Sequence, residues 1–234
     1  MKPKYFLACG TLAPLIYLGA VVFGGAYYPG YRPLFQAISE LIASGAPNKA
    51  VLDVVFFFCT ILIALFSFGI FLLVKRTSSH EARTAAKLGS LSLAGMSFLG
   101  LLILFFPIDP HGSLPSLNGN IHVVLASVMS AVSLPTVLLI GFWLSKQSTY
   151  NGLALYSFIT ASFLFVVGGI TAVIFFSDNP LLGAFERLTF ALFLQWLLIL
   201  AWKLFNAEHF SGWKKPEVEI SVSKTQRIDP CNDF

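Results

Sequence analysis

Phe105-Phe106-Pro107-Ile108-Asp109-Pro110-His111 closes one long apolar run, and Asn120-Ile121-His122 opens the next. Between them lies a short loop of Ser, Gly, Asn and Pro residues. Each flanking run is about the length that crosses a bilayer as a helix. A carboxylate beside a proline at one mouth and a histidine at the other are costly so near hydrocarbon. The stretch therefore reads as the hairpin between two membrane helices and as the face most worth searching for function.

Reading outward, the whole chain has this character. Of its 234 residues 56% are hydrophobic and 11% charged, against roughly 25% charged in soluble domains. Mean hydropathy is +0.79. A transmembrane barrel would instead alternate over segments of about ten residues, and no such pattern is present. The expectation is an all-α, polytopic six-helix bundle. Its helices are expected at about 5–26, 50–74, 83–106, 120–144, 152–176 and 181–206, within a membrane domain 1–207. A polar segment 208–234 reads as a disordered tail. The first apolar run is longer than the core of a secretion signal, so it is taken as a retained helix. Asn48 is an N-cap candidate for the second helix, and Ser78 with Glu81 forms a capping-box pattern before the third. Asp178-Asn179-Pro180 caps the sixth.

The first loop carries Tyr28-Pro29-Gly30-Tyr31 and then Leu34, Ile38, Leu41 and Ile42 at helical spacing. This predicts a short amphipathic helix along the membrane surface, bearing Ser39 and Glu40. Ala86, Ser90, Ala94 and Ser97 make a small face on the third helix for close packing. His122, Ala126, Ser130 and Ser133 share a face of the fourth.

Of fifteen Lys and Arg residues, all but Arg32, Lys49 and Arg187 fall on the side of the termini. The positive-inside rule then places both termini in the cytoplasm of a cell-membrane protein. Ser39, Glu40, Asp53, Asp109, His111, His122, Glu186 and Arg187 gather at the outer face, where three helix N-termini also point. Glu186 and Arg187 are adjacent, about 100° apart on a helix, so they do not form the usual three- or four-residue pair. Asp109 or Asp53 is the expected partner for Arg187. An outer cavity lined by Asp109, His122 and Arg187 would suit a small or lipidic ligand, including an anionic one.

The same residues admit other chemistries. Asp109 and His122 can simply close the loop between their helices. Asp109, His111 and His122 are metal-ligand types, and with them a metal-dependent lipid hydrolase. Ser39, Asp109 and His122 hold the elements of a hydrolase triad. A proton relay or small transporter is the third class. No cofactor is called for: bis-histidine haem lacks a second histidine within the membrane, and Gly168-Gly169 is a packing pair. Cys9, Cys59 and Cys231 suggest neither a disulfide framework nor prenylation. The expected partners are membrane lipids, with a small-molecule or lipid ligand and no nucleic acid.

Several of these motifs occur together in a known family. Tyr28-Pro29-Gly30-Tyr31, Ile38-Ser39-Glu40-Leu41, Phe106-Pro107-Ile108-Asp109, Ile121-His122 and Gly183-Ala184-Phe185-Glu186-Arg187-Leu188 with Trp196 follow one another in this order. The chain thereby resembles the bacterial and archaeal membrane family called domain of unknown function 998, over about residues 5–205. Members often carry Gln at the position of Glu186, so Arg187 is the firmer carry-over. The resemblance implies a six-helix integral membrane protein without an established activity.

Overall fold

The computed structural model describes residues 3–75, 77, 79–110, 112–177 and 180–211, with side chains of residues 209–211 left aside. Ser78, His111, Asp178 and Asn179, together with the segment beyond 211, lie outside the described residues.

Among the described residues six helices are long and apolar enough to cross a membrane. They are α1 (Pro3–Ala26), α2 (Lys49–Val74), α3 (His80–Ile103), α4 (Leu117–Ser145), α5 (Asn151–Phe176) and α6 (Leu182–Ser211). The described residues hold no strand. In hydrocarbon every backbone amide must bond within its own segment, which leaves the helix as the solution for such runs. Each helix packs on its neighbour in sequence, and α6 closes back on α1 to complete a ring. Gly10 permits that closure: a Cβ there would lie 2.5 Å from the Phe66 ring of α2 and 2.8 Å from Ala201 of α6. On α3, Ala86, Ser90 and Ser97 are buried, and Ser67 Oγ of α2 donates to the Ser90 carbonyl at 2.6 Å.

Two apolar clusters fill the ring. The larger lies at the end that carries α1's start and α6's finish, around Leu7, Phe66, Ile140, Trp143, Trp196 and Leu200. Its polar pins are Trp143 Nε1 to Thr77 Oγ1 at 2.9 Å and Trp196 Nε1 to Ser157 Oγ at 3.0 Å. The smaller lies at the opposite, loop end and includes Ala20, Leu52, Phe56 and Ile103. There the ring is closed by residues of the α1–α2 connection.

That connection differs from a surface α-helix. Ile38–Ile42 is a five-residue 3-10 helix, and Ala37, Ile38, Leu41, Ile42 and Ala43 are all buried. Turns at Gly30 and Gly45, with φ of +76° and +82°, bound the segment, and extended backbone at Ala37 and Ala43 confines the helical part to five residues. The apolar side chains turn down into the ring mouth, so the segment acts as a lid.

The lid and its latch at the loop end

The lid's own sequence builds much of its structure. Glu40 reaches back to accept from Ala37 N at 3.0 Å and from Gln36 Nε2 at 2.9 Å. Gln36 in turn accepts from Arg32 N at 2.7 Å. Glu40 is 9% exposed, and both its oxygens are satisfied within the lid.

The first turn of α6 supplies the latch. Gly183 has no side chain, and the lid backbone occupies the space: a Cβ would lie 2.6 Å from Pro33 O and 2.8 Å from Gln36 C. Ala184 N donates to Leu34 O at 2.9 Å. One turn on, Arg187 Nη1 faces Pro33 O, Gln36 O and Gly183 O at 2.5, 2.7 and 2.9 Å. Its Nη2 donates to Tyr31 Oη, and Tyr31 Oη donates to Ala37 O at 2.8 Å. The guanidinium also lies over the Tyr31 ring, 5.5 Å from its centroid. Burial pushes the Tyr31 phenol up to about 12, with the Arg187 charge working the other way. Glu186 accepts from Ile38 N at 2.5 Å. The two adjacent side chains, pointing apart, thus hold opposite parts of the lid.

Arg187 therefore does not pair with Asp109 or Asp53. Among the described residues its partners are neutral oxygens, four of them, and no carboxylate forms an ion pair with it. The reason is positional. Lid carbonyls already converge over α6, while Glu40 is bonded to Ala37 N and Gln36 Nε2 and Glu186 to Ile38 N.

Asp109 belongs to a different joint. It accepts from Ser116 N at 2.8 Å and Ser116 Oγ at 2.6 Å, which holds its carboxyl below the usual range. Ser116 Oγ also accepts from Gly119 N at 3.1 Å and so caps α4. His122, only 2% exposed, bonds through Nδ1 to Phe106 O at 2.8 Å. A carbonyl can only accept, so Nδ1 carries the proton. It satisfies a carbonyl left free beyond the end of α3. Asp109 and His122 together splice α3 to α4. The lid touches this joint through Ser44 N to Ile108 O at 3.2 Å.

Asp53 pairs one turn back with Lys49 at 2.5 Å, leaving its Oδ1 buried without a partner. The residues singled out from sequence thus divide into a latch, a helix joint and one local pair. Ser39 lies in the latched 3-10 helix, and no hydrogen bond connects it to Asp109 or His122, whose bonds go elsewhere. The triad elements are not assembled. Among the described residues no three His, Cys, Asp or Glu side chains group as metal ligands. Tyr31, Gln36 and Gly183 went unnoticed as latch parts. The one available signal was Gly183 four residues before Arg187, which leaves room on the arginine's own helix face.

Fold and site together define a six-helix integral membrane protein with a latched lid at one end of its ring. The chain belongs to the family described as Protein of unknown function (DUF998), whose profile matches residues 11–203. No curated protein and no solved structure matches it significantly.

Proposed function

We propose that the loop end binds a small or lipidic ligand with an anionic head group, which takes the place of the lid on Arg187. The observation that carries this reading is the guanidinium held against neutral oxygens. Pro33 O, Gln36 O and Tyr31 Oη offer Arg187 a cluster of oxygens like that of a phosphate or carboxylate. A true oxyanion would bind the same donors with charge assistance and a bidentate fit. Beneath the lid, Ala20, Leu52, Phe56 and Ile103 line an apolar mouth now filled by Ile38, Leu41 and Ile42. A ligand's hydrocarbon part fits there. By the charge asymmetry this end faces away from the cytoplasm in the cell membrane.

The test reads the lid directly. Leu41, 1% exposed, is changed to Cys in a chain whose three native cysteines are Ser. Thiol labelling is followed in detergent while short-chain phosphatidylglycerol or phosphatidylcholine is added. Labelling should rise several-fold with the anionic lipid alone, and the response should vanish in Arg187→Gln. Equal responses to both lipids, or none to either, would overturn the reading.

A further inference from the structure

We propose that a groove between α2 and α3, at the end of the bundle opposite the lid, binds the head group of an anionic phospholipid. The groove has a volume of about 340 Å³ and is lined by Phe71, Val74, Lys75, Arg83 and Lys87. Three of these five side chains are cations. Among the described residues none of the three has a carboxylate partner, and Glu81, the acidic residue of α3's first turn, makes no ion pair with them.

Two features of this cluster run against the helix that carries it. Arg83 sits in the first turn of α3, where the dipole disfavours a cation. Lys87 follows one turn later, and like charges four residues apart repel. An anion between them relieves both. The site is also preformed. Arg83 Nε and Nη2 donate to Thr77 O at 3.2 and 2.8 Å, and Thr77 is itself pinned by Trp143 of α4. The guanidinium is therefore held in place with Nη1 left over to donate. Lys75 follows the last turn of α2, and its flexible amine can close over the opposite side.

A lipid, and not a free phosphate, suits the surroundings. Phe71 and Val74 form the apolar part of the groove, and Phe71 is 43% exposed. Exposed apolar side chains on a membrane helix face acyl chains. Basic pockets between helices at a membrane boundary match anionic head groups in charge and depth.

The experiment uses the full chain in neutral detergent, with palmitoyl-oleoyl phosphatidylglycerol, the matching phosphatidylcholine and glycerol 1-phosphate as probes. Binding is measured by native mass spectrometry across a lipid titration. The wild type should prefer the anionic lipid, and each of Lys75→Gln and Lys87→Gln should weaken that preference about fivefold. Neither lysine's ammonium group makes a hydrogen bond or ion pair among the described residues, so melting in neutral detergent should not fall. Lys87→Glu should weaken it further than Lys87→Gln. No head-group preference in the wild type, or an undiminished one in the double Gln variant, would overturn the proposal. So would glycerol 1-phosphate binding as tightly as the lipid, since the acyl chain would then contribute nothing.

Discussion

Gly183→Ala tests the latch with a single methyl group. The added Cβ would lie 2.6 Å from Pro33 O and closer still to Gln36 O, where ordinary contact begins at 3.4 Å. Either the lid backs away by about 1 Å, or α6 and the lid share the strain. Retreat by that much would stretch the Arg187 bonds to Pro33 O and Gln36 O, now 2.5 and 2.7 Å, past useful length. The Ala184–Leu34 bond at 2.9 Å would go with them. Two bonds to a charged donor at about 1.5–3 kcal/mol each and one neutral bond near 1 give roughly 4–7 kcal/mol. The contacts are all with lid backbone and all under 3.0 Å, so the overlap cannot be absorbed in place and the lid has to move. The expected loss of stability is therefore up to about 4–7 kcal/mol, read as a lower melting temperature in detergent. Helix propensity alone predicts the opposite sign, since Ala gains up to about 1 kcal/mol over Gly in a helix. An unchanged or raised melting temperature would show that the lid does not rest on α6 at Gly183.

Three further tests address the latch's polar contacts and the other joints. In a cycle of Tyr31→Phe and Arg187→Lys, the two should couple by about 1–3 kcal/mol in melting measurements, because lysine cannot span the tyrosine and the lid carbonyls together; additive losses would mean the phenol–guanidinium bond contributes nothing. Asp109's carboxyl is held low by Ser116, so its contribution is present above the ordinary carboxylate pKa and fades as pH falls through the lower folded value. The stability gap between wild type and Asp109→Asn should therefore shrink as the pH is lowered from about 5 to 3, and a constant gap would assign Asp109 no such role. Ser90→Leu puts a large side chain where the serine is 1% exposed and should destabilise the bundle by about 1–3 kcal/mol; an unaltered melt would place that face toward lipid.

The six helices were legible because a bilayer demands about twenty apolar residues in a row and nothing else in the chain imitates that. The ends found at Pro3, Lys49 and Asn151 fall within a few residues of those expected. The Asp109–His122 joint was legible too, as a carboxylate and a histidine flanking one short loop. The lid was harder. Leu34, Ile38, Leu41 and Ile42 have helical spacing, but 3-10 geometry uses nearly the same period, and the backbone turns extended at Ala37 and Ala43, which side-chain spacing does not show. Arg187 was matched to a carboxylate because side-chain patterns show charges and hide backbone carbonyls. Gly183 looked like mere punctuation, although its missing Cβ is what admits the lid.

Under the proposed function, lid and ligand compete on terms that the membrane sets. In water, burying Ile38, Leu41 and Ile42 would each contribute about 1.5–3 kcal/mol, and no small head group could offset their exposure. In a bilayer, side chains leaving the mouth can enter lipid that is as apolar as the mouth itself, and an acyl chain arriving from lipid gains as little. The apolar terms nearly cancel, and the polar ones decide. Arg187 exchanges three neutral lid acceptors for an oxyanion and keeps Gly183 O of its own helix, which favours the ligand. Glu186 loses the Ile38 amide, bonded at 2.5 Å, and stands as a like charge beside the incoming anion, which opposes it. A head group that succeeds must therefore bring oxygens for the guanidinium and also an N–H or O–H donor to replace Ile38 N. A phosphate esterified to a polyol or an amino alcohol meets both demands, whereas bare phosphate or a fatty acid meets only the first. Among anionic lipids the discrimination should follow the donor on the head group more than the length of the chain.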